Sequence, residues 1–244
     1  MARVRADALL VARGLVESRA RAQAAIAAGG VLAGGRIVSR ASEGLDPDID
    51  LEVTAAHPWV GRGALKLVHA LDLWSISMTD RCVVDVGAST GGFTEVCLSR
   101  GARRVYAVDV GRDQLHASLR RNSSVVVLEG VDARSLSVEL VPEAPDAIVC
   151  DASFIGLAKV LPAALGLARN GADLIALIKP QFEAGPDHVG KGGLVKDPEV
   201  LSRVQDEVSG FLEGADWAVQ AMAPSPISGG AGQAEFLIHA IKAT

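Results

Sequence analysis

Between residues 82 and 179, five short runs of β-formers alternate with segments of helical spacing: 82–86, 104–109, 125–128, 146–151 and 173–179. Runs such as 174-LIALI-178 are apolar without interruption rather than alternating apolar with polar. Strands of that kind are buried on both faces, which requires helices above and below the sheet and parallel strands joined by crossovers. Helical spacing fills the gaps over 92–100, 113–121 and 158–169, and recurs over 198–213. Two further runs, 217–222 and 235–241, are joined by 223-APSPISGGAGQA-234, which is too rich in glycine and proline for a crossover helix. Those two are expected to pair antiparallel. Ahead of the first strand, 61-GRGALKLVHALDLW-74 sets Leu65, Val68, Leu71 and Leu73 at helical spacing for docking. Residues 62–244 are therefore expected to form an α/β domain, a doubly wound sheet of seven mostly parallel strands.

The first 55 residues are punctuated differently. Asp7 reads as the cap of a short helix carrying Leu9, Leu10 and Val11 and ending at Gly14; Ser18 reads as the cap of a second, 19-RARAQAAIAAG-29. Arg19 and Arg21 fall in that helix's first turn, where the dipole disfavours cations, so the position invites a functional reason. Then 31-VLAGGRIV-38 reads as two short strands around a glycine turn, followed by acidic 43-EGLDPDID-50 and a strand at 51–53. The expected division is a small α+β domain over 1–55, a linker over 56–61, and the α/β domain. Charge follows the same division. Residues 1–40 carry seven arginines against two acids, Asp7 and Glu17, whereas residues 59–244 carry 17 basic and 22 acidic side chains. A basic segment on an acidic body, in a chain of net charge −5, points to a polyanionic partner for the first segment alone.

Three cysteines, Cys82, Cys97 and Cys150, form no C-x-x-C pair and read as apolar fillers in a reducing compartment, with no metal site expected. Neither a signal-peptide apolar core nor a run of 18 apolar residues is present, so the expected location is cytoplasmic, away from membranes. No obligate protein partner is evident in the sequence.

The loop after the first strand, in 82-CVVDVGASTGGFTEV-96, admits three chemistries. Gly87-Ala88-Ser89-Thr90-Gly91 fits G-x-S-x-G, the nucleophile elbow of hydrolases, which needs a later histidine base tied to an acid. His116 falls in a helical segment and His239 in a closing strand; only His188 sits in a loop, and nothing joins it to an acid. A three-glycine dinucleotide site needs glycine where the chain has Ser89. A second decoy, 185-GPDHVGKGG-193, fits G-x-x-x-x-G-K but ends in Gly192 where a phosphate loop needs Ser or Thr, and no strand leads into it. The third reading is a bulky adenosine-type cofactor approached by glycine backbone at the carboxyl end of the strand. Asp109 ends the second strand 24 residues after Asp85, where an acid accepts from ribose hydroxyls. Asp132 follows the third strand and suits the adenine amine, and Asp85 suits the amino-acid end of the cofactor.

Lys66 lies on the lead-in helix, Asp151 at the end of the fourth strand, Lys179 at the end of the fifth, and Glu235 at the start of the last. A lysine closing an apolar strand is costly to bury without a carboxylate, so two lysines and two carboxylates above one sheet would satisfy each other.

These strings carry two resemblances. Two short helices, the Ser-Arg step, Gly-x-Val and a Gly-Arg turn resemble the S4 RNA-binding domain, although Ala33 stands where that domain usually has asparagine. The resemblance implies Arg3, Arg5, Arg19, Arg21 and Arg36 as phosphate contacts to folded RNA. The set Lys66, Asp151, Lys179 and Glu235 resembles the Lys-Asp-Lys-Glu set of FtsJ-type RNA ribose 2′-O-methyltransferases. With VDVGASTGGFTEV, DASFI and KPQFE, the chain from about Arg5 to Ile238 resembles the TlyA family of ribosomal RNA methyltransferases, formerly labelled hemolysins. That implies a Rossmann-like class I methyltransferase domain, S-adenosylmethionine as donor, and a cytidine ribose of ribosomal RNA (23S, in some members also 16S) as acceptor on the ribosomal subunit. It also implies Lys66, Asp151, Lys179 and Glu235 as the catalytic set. The cofactor contacts it implies are Asp85, Gly87, Ala88, Ser89, Gly91, Gly92, Phe93, Asp109, Val110, Asp132, Ala133 and Asp151. Lys179 would lie closest to the ribose hydroxyl, either neutral and accepting its proton or charged and stabilising the oxyanion. The alternatives are a membrane-active cytolysin, an S4-bearing pseudouridine synthase and a non-catalytic ribosome-binding factor.

Overall fold

A computed structural model describes residues 3–27, 29–53, 57–229 and 232–244 and divides into two compact units, 1–58 and 59–244. Positions 54–56, which include the start of the expected linker, lie outside the described residues.

In the first unit, β1 (Val4–Arg5) leads into α1 (Ala6–Ala12) and α2 (Arg19–Ala27), followed by β2 (Val31–Ala33), β3 (Arg36–Ile37), β4 (Gly44–Leu45) and β5 (Leu51–Val53). β2 is the middle strand of a three-stranded antiparallel sheet, and β1 pairs with β4 inside the stretch read only as an acidic connector. Leu9, Leu10, Ala22, Ala25, Ile26, Val31, Val38 and Leu45 make its core. Ser18 caps α2 as expected, its Oγ accepting from Arg21 N at 3.3 Å. Asp7 does not cap α1. It sits inside the first turn, fully buried, and accepts from Arg5 (3.0 Å), Arg19 (2.8 Å) and Gln23 (3.1 Å). A capping oxygen points back along its own helix, whereas this carboxylate ties α1 to α2 through Arg19 and Gln23 and to the preceding strand through Arg5.

The second unit opens with α3 (Ala64–Leu73) and continues β6 (Cys82–Val86), α4 (Gly92–Ser99), β7 (Arg104–Asp109), α5 (Ala117–Arg120), β8 (Val125–Glu129) and β9 (Ala147–Cys150). Then follow α6 (Leu157–Val160), α7 (Pro162–Leu167), β10 (Asp173–Ile178), α8 (Pro180–Glu183), α9 (Pro198–Glu213), β11 (Trp217–Pro224) and β12 (Phe236–Lys242). The seven strands lie in the order β11-β12-β10-β9-β6-β7-β8, with β12 antiparallel to both neighbours and the other pairings parallel. All of β6, β9 and β10 is buried, which explains their unbroken apolar runs. One cluster, including Val84, Ile148, Leu174 and Leu161, packs one face; a second, including Leu67, Leu71, Phe93 and Leu177, packs the other.

Two expected helices are shorter than their periodicity suggested. The 158–169 segment breaks into α6 and α7 because Pro162 has no N–H to continue the first and starts the second at N1. The 113–121 segment keeps only Ala117–Arg120. The backbone N–H groups of Asp113, Gln114 and Leu115 are instead gathered by Glu129 (3.0, 2.8 and 2.8 Å).

Candidate active site

The sheet changes winding direction between β6 and β9: β7 and β8 extend it to one side, β10 and the closing hairpin to the other. The carboxyl ends at that point form a crevice, the place where doubly wound sheets take ligands. Two cavities lie there, of about 630 and 640 Å³, and Gly87, Ser89, Asp151, Ser153 and Phe154 line both.

Lys66, Asp151, Lys179 and Glu235 all line the first cavity. They form two ion pairs: Lys66 with Glu235, and Lys179 Nζ with Asp151 Oδ1 at 2.6 Å. Lys179 also donates to Ser153 Oγ (2.9 Å) and to the Asp151 carbonyl (3.1 Å). Its position follows from local sequence. β10 ends at Ile178, and Pro180 at N1 of α8 turns the chain away, leaving Lys179 as the extended N-cap residue. Asp151 likewise stands just past β9, and Glu235 just ahead of β12 rather than at its first residue. A Cβ on Gly229 would come within 2.0 Å of Glu235 Oε1, so only glycine there leaves room for that carboxylate.

The loop after β6 contributes Gly87, Ala88, Ser89, Gly92 and Phe93 to the same cavity. Gly87 has φ +83°, and a Cβ on it would lie 2.8 Å from the Ala152 backbone, so the loop passes against the turn after β9 only as glycine. Gly91 lines neither cavity; at φ +97° it turns the chain into α4. Asp109, Val110, Asp132 and Ala133 line the second cavity. Asp109 accepts from Ser89 N (2.8 Å) and Gly111 N (2.7 Å), fixing the loops on either side of it. Asp132 is forked by Arg134, and those hydrogen bonds hold its carboxyl below the usual range.

Asp85 lies beneath the glycine loop at 0 % exposure, outside both cavity walls. Burial pushes its carboxyl up to about 7, opposed by the Thr94 hydroxyl, which donates to Oδ2 at 2.6 Å. Its Oδ1 has no protein partner among the described residues. An orphaned buried acceptor under a loop that glycine keeps thin fits a ligand bearing a polar, cationic end. With Asp109 and Asp132 walling the neighbouring cavity, the set of acceptors suits an adenosine linked to an amino acid.

The hydrolase geometry is missing. Ser89 does carry a strained φ of +47°, but its Oγ faces Gln114 Oε1 at 3.2 Å, and no described histidine lines either cavity. The phosphate-loop decoy forms a 3-10 turn at Pro186–His188 and a bridge between Gly190 and Leu194, with no strand running into a helix.

Sequence reasoning passed over four participants. Glu129 anchors the loop beside Asp109 through three backbone N–H groups and Arg120. Burial opposes its ionisation, yet those donors bring it down to about 2. Gly192 and Gly193, from the rejected phosphate loop, line the first cavity. Phe154 stands at the shared wall, 90 % exposed, at φ +66°, with its ring 5.2 Å from that of Phe182. A bulky residue in the left-handed region is strained, and no burial of its ring offsets that strain.

In the first unit, Arg5 and Arg19 converge on Asp7, Arg36 pairs with Glu43, and Arg21 lies 4.0 Å from Glu17. Arg3, Arg19 and Arg36 are exposed.

A family model of FtsJ-like methyltransferases matches residues 59–242, and one of the S4 domain matches residues 4–48. The chain is 43 % identical over 238 residues to a 16S/23S rRNA (cytidine-2′-O)-methyltransferase TlyA of Mycobacterium tuberculosis, covering 97 % of this chain and 89 % of that one. It is 36 % identical to hemolysin A of Brachyspira hyodysenteriae, covering 98 % and 100 %. A solved structure of a protein from Streptococcus thermophilus, also named a hemolysin, superposes with a TM-score of 0.79 at 37 % identity, covering 100 % and 90 %.

Proposed function

Because this chain belongs to the FtsJ-like methyltransferase family, we propose that it methylates the 2′-hydroxyl of a cytidine ribose in ribosomal RNA, with S-adenosylmethionine as donor. The observation that carries the reading is the convergence of Lys66, Asp151, Lys179 and Glu235 on one cavity at the carboxyl ends of the strands. The 23S molecule is the acceptor proposed first, with 16S as a second. Residues 1–55 serve as the RNA-binding domain, 56–61 as linker and 62–244 as the catalytic domain.

S-adenosylmethionine, when bound, supplies a methyl already activated on a sulfonium, so the protein's tasks are alignment and management of one proton. Asp109 holds the ribose of the cofactor, Asp132 with Val110 and Ala133 the adenine, and Asp85 with the Gly87–Phe93 loop the amino-acid end. Lys179 faces the acceptor oxygen from a position fixed by Asp151 and Ser153; as the free amine it accepts the hydroxyl proton, and as the ammonium it stabilises the developing oxyanion while solvent water takes the proton. The Lys66–Glu235 pair closes the opposite wall and orients the ribose. Phe154 offers an exposed ring at the mouth, where a base taken out of its stack can lie. The arginines of the first unit supply the salt-sensitive contacts to RNA phosphates, with Asp7 keeping Arg5 and Arg19 side by side.

Tritium transfer from labelled S-adenosylmethionine to ribosomal subunits, followed by nucleoside digestion, tests the reading: the label is expected in 2′-O-methylcytidine. A lytic activity has no comparable support, since no helix among the described residues is long and apolar enough to cross a membrane.

A further inference from the structure

The glycine-rich stretch 185–193 reaches the first cavity through Gly192 and Gly193, yet it belongs to no strand or long helix that would hold it there. Val189 and Val195 pack it against the core, and one side chain fixes the backbone between them and the cavity. Gln233 is 2 % exposed, and its amide closes two hydrogen bonds on a single residue: Oε1 accepts from Val195 N at 2.7 Å, and Nε2 donates to Val195 O at 3.1 Å. The Nε2 group also donates to Ala234 O at 3.0 Å. Val195 is itself buried, so its N–H and C=O need partners, and Gln233 provides both in the manner of a neighbouring strand. Toward the loop tip, Gly190 N donates to Leu194 O (2.9 Å) and Gly193 N to Gly190 O (3.1 Å), so the tip is a closed turn hung from Val195. On its own side, the Gln233 carbonyl accepts from Gly229 N at 2.9 Å, and Gly229 is the residue that makes room for Glu235.

We propose that Gln233 is a positioning residue for methyl transfer: by clamping Val195 it sets the Gly192–Gly193 wall against the Gly229–Glu235 side, and so shapes the half of the cavity that receives the RNA ribose. The proposal rests on the functional reading above. Gln233 lines neither cavity; its side chain acts through Val195, and its backbone carbonyl holds Gly229. The Gln233 side chain makes no hydrogen bond to the loop after β6 or to the Asp109 wall, so binding of S-adenosylmethionine is expected to survive its replacement.

The amide is needed because Val195 presents one donor and one acceptor. Gln233→Glu keeps the shape and the acceptor but sets a carboxylate against the carbonyls of Val195 and Ala234. Protonation restores an O–H donor beside a C=O acceptor, and burial raises the pKa at which that happens. Gln233→Leu fills the volume and can make neither bond at any pH.

The test compares wild type, Gln233→Glu and Gln233→Leu for methylation of ribosomal RNA at pH 8 and pH 6. Calorimetry with S-adenosylmethionine and hydrogen exchange of the Val195 amide at one fixed pH are read alongside. At pH 8 both variants are expected to lose at least tenfold in kcat/KM for RNA, with cofactor affinity within twofold of wild type and faster Val195 exchange. At pH 6 the ratio of Gln233→Glu to wild type is expected to rise at least fivefold, while that of Gln233→Leu stays flat. Variant rates within twofold of wild type, a pH-independent ratio for Gln233→Glu, or a parallel loss of cofactor affinity each overturn the proposal. Unchanged Val195 exchange overturns it whether or not methyl transfer is seen. Faster exchange in a variant of a wild type that methylates no RNA supports the clamp and counts against the functional reading.

Discussion

Replacing Asp85 with asparagine should stabilise the second unit in a pH-dependent way while weakening its hold on the cofactor. Burial beneath the glycine loop raises the Asp85 carboxyl to about 7, with the charges of Asp151 and Asp109 adding to the effect against the Thr94 hydrogen bond. The unfolded chain ionises near the ordinary value of about 3.9. Because the folded value is the higher one, the stability cost is absent below pH about 4, grows as pH rises, and is complete above about 7. Three units of difference correspond to about 4 kcal/mol at full ionisation. Asparagine does not titrate, and its own packing and hydrogen-bond costs are the same at every pH. Between pH 5 and pH 8 the unfolding free energy of Asp85→Asn should therefore gain on wild type by about 3 kcal/mol. Urea titrations of both proteins at the two pH values measure that gain. On the role proposed for Asp85, calorimetry at pH 8 should show cofactor affinity reduced at least tenfold. A stability difference that does not change with pH would refute the reasoning about burial. Unchanged cofactor affinity would refute the role given to the unpartnered Oδ1.

Two further outcomes are expected. Glu129→Ala removes the acceptor for three backbone N–H groups, a loss of about 1–3 kcal/mol in stability. It should loosen the loop that carries Gly111 and Gln114 into the second cavity, raising the cofactor Kd about tenfold; a calorimetric titration reads both the shift and its absence. Asp7→Asn should destabilise the first unit at neutral pH and steepen no acid transition. The Arg5 hydrogen bond first of all, then those of Arg19 and Gln23, hold Asp7 well below the usual carboxylate range despite its burial. Its stabilisation is present above about pH 4 and lost as pH falls further, so variant and wild-type melting curves should converge in acid.

The sheet was legible because its strands are buried on both faces, and an unbroken apolar run such as 174-LIALI-178 has few other fates. The placement of Asp151 and Lys179 was legible for a related reason: a charged residue just past such a run stands at the sheet's rim, where another charge must meet it. Lys66 on its helix and Glu235 ahead of the last strand joined them through the family resemblance. What escaped the sequence were long-range side-chain roles. Asp7 had every local mark of a helix cap, and only the return of α2 at Arg19 and Gln23 turns it into a buried hub. Glu129 fell just past the expected strand 125–128, and nothing nearby in sequence signals that its carboxylate collects the amides of residues 113–115. Gln233 and Val195 are 38 residues apart and share no periodicity. The rejected phosphate loop was rightly excluded for its own chemistry, while its glycines serve the thin wall of a different cavity.

Lys179 is the residue proposed to drive transfer of a methyl group to a ribose hydroxyl. The measurement that bears on it most directly is single-turnover transfer from labelled S-adenosylmethionine to ribosomal subunits by wild type and Lys179→Ala, each shown by calorimetry to bind the cofactor, with the product nucleoside identified. Wild type is expected to give 2′-O-methylcytidine, and the variant a rate at least a thousandfold lower at equal cofactor occupancy. Label on a base, or a variant rate within tenfold of wild type, would contradict it.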